Sequence, residues 1–152
     1  MTTLPVLVFS SESVYLQKSA YGISQFFRIL IRNIITMPGD PRLNTEKIDS
    51  RLINYVVSKI AREIQPEKII LFGSQARCDA NSESDLDLFI IKDTPNPSRL
   101  VRRQIDRLLW GRKFPLEVIV RTPEDVTRNL KAKNPFYLYH IFKEGKILYE
   151  KK

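Results

Sequence analysis

Two short apolar runs near the middle of the chain, Lys68-Ile69-Ile70-Leu71-Phe72 and Leu86 to Ile91, are separated by a turn-rich polar stretch that opens with Gly73-Ser74. The first reads as a buried strand. In the second, Asp85, Asp87 and Phe89 recur at two-residue spacing opposite Leu86, Leu88 and Ile90. A strand from about Asp85 to Ile91 therefore has one wholly apolar side and sets two carboxylates on the other. The remaining elements must pack around these strands.

The flanking sequence supplies helices with matching apolar stripes. From Asn44 onward, Ile48, Leu52, Val56, Ile60 and Ile64 recur every four residues, with Ile53 and Val57 widening the stripe. This predicts an amphipathic helix capped by Asn44 or Thr45 and stopped at Pro66. After Thr94-Pro95-Asn96-Pro97, Ser98 is expected to cap a second helix, with Leu100, Val101, Ile105, Leu108 and Leu109 on one face and Gly111 at its exit. Pro115 to Val120 is a predicted third strand. Thr122-Pro123-Glu124-Asp125 starts a further helix, and Asn134-Pro135 repeats the signal for a last one reaching about Lys143. Ile147 to Tyr149 is a candidate terminal strand. The expectation is an α/β (α+β) domain, a small sheet of three to four strands flanked by helices.

Residues 1–43 lack this order. No period is sustained there, and the segment ends in the turn-forming cluster Met37-Pro38-Gly39-Asp40-Pro41. The expected division is an N-terminal extension over 1–43 and one domain over 44–152. The extension reads as a partner-binding arm, a disordered segment, or sequence upstream of a true start at Met37. Its apolar stretches, Leu4 to Phe9 and Ile23 to Ile35, are too short or too interrupted by Gln25, Arg28, Arg32 and Asn33 to span a bilayer. The first also lacks the basic flank of a signal peptide, so the expected location is cytoplasmic, without membrane partners.

With Cys78 as its one cysteine the chain has no intramolecular disulfide and no cysteine-based zinc site, and His140 as its one histidine argues further against zinc. Its net charge of +8 favours polyanionic partners, whether nucleic acid, nucleotide or acidic protein. Arg99, Arg102, Arg103, Arg107, Arg112 and Lys113 carry much of that charge along one helix and its exit, as a solvated face or a binding face.

Two carboxylates on one face repel each other unless a cation lies between them, and magnesium prefers such oxygen ligands. Gly73 would let the backbone approach a phosphate, while Ser74 offers a hydroxyl beside exposed backbone N–H groups. Gly-Ser alone is usually a turn, and Asp-x-Asp alone a solvated strand edge. Together, in this spacing, they point to a metal-complexed nucleoside triphosphate.

Gly73-Ser74, ten intervening residues and Asp85-Leu86-Asp87 resemble the signature of the polymerase beta nucleotidyltransferase superfamily. Gly73-Ser74-Gln75-Ala76-Arg77 and Ser84-Asp85-Leu86-Asp87-Leu88 resemble its minimal, stand-alone branch, over about Asn44 to Tyr149. The resemblance implies a mixed sheet and a third carboxylate from the next strand, which here is Glu117. It further implies two Mg2+ ions on Asp85, Asp87 and Glu117, ATP as substrate, and Gly73, Ser74 and Arg77 against the phosphates. An NMP would pass to an acceptor hydroxyl as pyrophosphate leaves. The chain departs from the family pattern in having Glu117 in place of the commoner Asp, and Cys78 in place of the usual glycine. His140, within Phe136 to Phe142, and Trp110 read as core or interface packing residues, with stacking of a base as the alternative.

Members of that branch are often encoded with a HEPN-domain partner, so the resemblance implies AMPylation of a tyrosine on a HEPN-type RNase toxin, with this chain as the antitoxin. The basic helix would then face an acidic partner. Alternatives are a binding antitoxin whose site is weak or silent, and nucleotidyl transfer to a small molecule or an RNA end.

Overall fold

The computed structural model describes residues 39–81 and 84–152. The expectations for residues 1–38 lie outside the described residues. Four strands, β1 (Lys68–Phe72), β2 (Leu86–Ile91), β3 (Leu116–Arg121) and β4 (Lys146–Glu150), pair in the order β3-β2-β1-β4. β1 is antiparallel to β2 and β4, whereas β2 and β3 are parallel, so the sheet is mixed. Parallel neighbours need a crossover, which α3 (Ser98–Leu108) supplies. The end of β1 therefore meets the beginnings of both β2 and β3 at one edge.

Strand alternation feeds two cores. Ile69, Leu71, Leu86, Leu88, Ile90, Val118 and Val120 point to the face covered by α1 (Ser50–Ile64) and α3. Ile70, Phe72, Phe89 and Ile91 point to the opposite face, under Val126 of α4 (Pro123–Lys131) and under Tyr137 and Ile141 of a π-helical segment, Phe136–Ile141. Each fully buried large apolar side chain contributes about 1.5–3 kcal/mol, so either core alone outweighs any single surface contact. Asp87 shares the second face with Phe89 and Ile91, as the alternation predicts.

The first helix begins later than its stripe suggests. Asp49, not Asn44 or Thr45, caps α1, its Oδ1 accepting from the Leu52 amide at 2.9 Å. Thr45 Oγ1 instead accepts from the Lys47 amide at 3.2 Å, in a local turn. Ile48 still packs against the core from outside the helix, which is why the periodicity runs through it. Gln65, in a left-handed conformation with φ 51°, ends α1 just before Pro66.

Residues 40–43, assigned from sequence to the extension, pack with the domain. Leu43 is fully buried, and its carbonyl accepts from the Lys113 amide at 3.1 Å. The Asp40 carboxylate caps the turn Pro41–Leu43 and accepts hydrogen bonds from Lys59 Nζ at 2.7 Å and from the Tyr55 hydroxyl. These bonds, Lys59 foremost and Tyr55 next, hold the Asp40 acid down at about 2.

Other differences are local. Ser98 makes no capping bond to α3, which follows Pro97 directly. Thr122 does cap α4, accepting from the Asp125 amide at 3.2 Å. The last predicted helix is wound more loosely: the Phe142 amide donates to Tyr137 O, five residues back, at 3.0 Å. Trp110, expected to pack in the core or at an interface, is 74% exposed and so is not a core residue. Among the described residues, no helix is long and apolar enough to cross a membrane.

Candidate active site

The turn after β1 is built around an absent side chain. Gly73 has φ 68°, in the left-handed region that favours glycine, and begins the short helix α2 (Gly73–Arg77). Strand register sets Phe72 opposite Asp87. A Cβ on Gly73 would overlap Asp87 Oδ2 and lie 3.0 Å from its Cγ. The backbone conformation thus favours glycine, and any side chain here would force Asp87 to move.

Asp87 is also paired across the parallel β2–β3 ladder with Glu117. Asp85, exposed, immediately precedes β2. Burial pushes the half-buried Asp87 carboxyl up to about 6, and the negative charges of Glu117 and then Asp85 push in the same direction, against a smaller opposing pull from Arg77. The three acids expected from sequence therefore converge electrostatically at one sheet edge, with Asp87 at the centre.

The predicted phosphate ligands behave differently. Ser74 lies half-buried in the first turn of α2. Arg77, at its end, bonds Asp79 through Nε at 3.0 Å and lies 3.7 Å from Glu144 Oε2. Asp79 first, then Glu144, strengthens its hold on its proton. Arg77 is therefore within electrostatic reach of Asp87 yet engaged by two other acids.

Several surrounding residues were not legible in the sequence. Glu144 also meets His140, whose Nδ1 lies 3.2 Å from Glu144 Oε2, so the half-exposed His140 is not a core residue. Phe136 packs edge-on to Phe72 and tilted against His140, each at 5.9 Å between ring centroids. Cys78, where a glycine is usual, adopts φ 64° at the end of α2, and Lys146 Nζ donates to its Sγ at 3.1 Å. Only the spacing in Arg77–Asp79 and His140–Glu144 hints at these pairs; the remaining links join distant parts of the chain.

Among the described residues, no three ligating side chains close into a metal cage. Magnesium does not need one, because it keeps several waters and takes one or two carboxylates together with substrate phosphates. A crowded, all-oxygen donor set whose central acid is already raised fits such a cation, which would relieve the repulsion. Such a set of acids suits a solvated divalent cation more than a buried structural metal.

Residues 54–152 match the family described as Polymerase beta, Nucleotidyltransferase. The chain is 32% identical over 107 residues to a Methanocaldococcus jannaschii protein named as a putative protein adenylyltransferase, covering 70% of this chain and 100% of that one. A solved nucleotidyltransferase structure from Sulfolobus solfataricus, described with the same qualifier, is 18% identical with a TM-score of 0.48, covering 76% of this chain and 93% of that one.

Proposed function

Because the chain belongs to the polymerase beta nucleotidyltransferase family, we propose that it transfers AMP from ATP to a hydroxyl group of a protein, the acceptor being a tyrosine of a HEPN-domain RNase that the modification silences. The observation that carries this reading is the crowding of Asp87 between Gly73 and Glu117. A carboxylate raised by burial and by two like charges is poised to bind a cation that travels with a triphosphate. The relative named as a protein adenylyltransferase supports a protein acceptor.

In this mechanism Asp85 and Asp87 would hold the two magnesium ions, with Glu117 helping to position one of them or activating the acceptor hydroxyl; bound magnesium would supply charge neutralisation for the triphosphate and its leaving group. Gly73 makes room for the Asp87 carboxylate, and the Ser74 hydroxyl would bond the phosphates. Arg77, released from Asp79 and Glu144, adds positive charge. The acceptor oxygen bonds to the α-phosphorus as the bond to the bridging oxygen breaks; pyrophosphate departs, and Glu117 takes the hydroxyl proton. The reaction belongs in the cytoplasm, where ATP is supplied.

The test is to incubate the protein with ATP labelled at the α-phosphate, magnesium and the product of the neighbouring gene. Label on a tyrosine of that product, lost in the Asp85→Ala, Asp87→Ala double variant, is the expected result. Label that survives the double variant would overturn the site, and neutralisation without label would identify a binding antitoxin instead.

A further inference from the structure

On the sheet face opposite Asp87, α3 presents a cationic ridge. Arg99, Arg103 and Arg107 stand four residues apart, which spaces them about 6 Å along one side of the helix, with Arg102 beside them. All four are exposed, while Val101 and Ile105 on the inner side are buried. Among the described residues none of the four forms an ion pair, whereas Arg112 pairs with Asp106 at 2.9 Å.

The ridge runs into an aromatic. Trp110, the chain's one tryptophan, follows Arg107 and donates its amide to the Arg107 carbonyl at 3.2 Å. It borders an open groove of about 510 Å³ lined by Arg112, Phe114, Pro115 and Leu116. That groove leads into β3 close to Glu117, and Pro115 O accepts from the Leu86 amide at 3.0 Å. A row of arginines satisfies any polyanion, but an indole left in solvent at its end adds a stacking platform. An acidic peptide has no base to place there, and a duplex keeps its bases stacked on one another.

We propose that α3 and Trp110 form a binding surface for single-stranded nucleic acid, with phosphates along Arg99, Arg103 and Arg107 and a base stacked on Trp110. This surface does not depend on nucleotidyl transfer and is distinct from the triphosphate site.

The experiment uses the full chain in EDTA without nucleotide, titrated with fluorescein-labelled 15-nucleotide oligouridylate or oligothymidylate, the two arms separating RNA from DNA. Anisotropy reports binding, and with unlabelled strands the fluorescence of Trp110 reports stacking. The expected result is quenching of Trp110 on binding. Arg103→Ser with Arg107→Ser should weaken affinity roughly 10-fold and make the salt dependence shallower by about 1.4 in log–log slope, from about 0.7 per phosphate contact. Trp110→Ala should weaken binding about 5-fold or more, with Trp110→Phe recovering part of it. Unchanged far-UV circular dichroism and an unchanged thermal shift with magnesium and ATP verify that the fold and the triphosphate site persist. Absence of binding at 50 mM salt, arginine variants that bind as wild type, or equal quenching by polyglutamate would each overturn the proposal, the last in favour of an acidic protein partner.

Discussion

Asp87 occupies the space that a side chain on Gly73 would need. The glycine and the acid are thus one unit: the first sets the end of β1, and the second fills the resulting gap from the neighbouring strand. Gly73→Ala meets both the overlap and the positive φ, and should lose about 1–3 kcal/mol of stability together with nucleotide-induced stabilisation. In an Asp87→Ala background only the backbone strain remains. Urea unfolding of the four-variant cycle should therefore show a smaller loss for the second Gly73→Ala, and equal losses would refute the contact.

Removing the charge at Asp87 should stabilise the free protein. Its carboxyl is raised from 3.8 to about 6 in the folded state, so the folded chain binds more protons between those values. The penalty is full above pH 6 and fades as pH falls toward 4. Asp87→Asn should accordingly gain on the order of 1 kcal/mol at pH 7.5, after allowance for solvent screening. Its melting temperature should exceed that of wild type most at pH 7.5 and converge with it by about pH 4.5.

Asp40 shows the opposite pH behaviour. Its acid is lowered from 3.8 to about 2 by Lys59 and Tyr55, so its contribution is complete above the unfolded value and disappears as pH falls through the folded one. Asp40→Ala should cost about 1–2 kcal/mol at pH 7, the scale of hydrogen bonds to a charged group. The cost should shrink in acid, and a cost that persists undiminished at pH 2 would mean that packing of the turn, not the carboxylate, anchors it.

Glu144 lies 3.7 Å from Arg77, and in the proposed site it would compete with the triphosphate for that guanidinium. Glu144→Gln should tighten binding of ATP with magnesium by about 2- to 5-fold at low salt, and Arg77→Ala should weaken it, both read by calorimetry. No change in either variant would remove Arg77 from the phosphate site.

The length of the third acid gives a further comparison. Glu117→Ala should reduce turnover by about 100-fold or more, as loss of an acid–base group does, while Glu117→Asp should retain more of it. Equal activity in wild type and Glu117→Ala, measured as label transferred per minute, would exclude the residue from the reaction.

Alternation and helical periodicity are local properties, and they determined much of this protein. Leu86, Leu88 and Ile90 face one core while Asp87 and Phe89 face the other because successive strand residues must point oppositely. The α1 stripe, the Thr122 cap and the glycine after β1 were readable for the same reason. The beginning of α1 was not, since an apolar residue such as Ile48 can reach the core from a helix or from a turn. Tertiary structure alone decided the pairing of Asp87 with Glu117, the capture of Arg77 by Glu144, the anchoring of Asp40 by Tyr55 and Lys59, and the exposure of Trp110. Each depends on which distant surfaces meet when the elements pack, and residue type and spacing along the chain do not encode that by themselves. At Gly73 the two kinds of information coincide: a glycine after β1 is evident in the sequence, and the carboxylate it must avoid appears only after β2 has folded beside it.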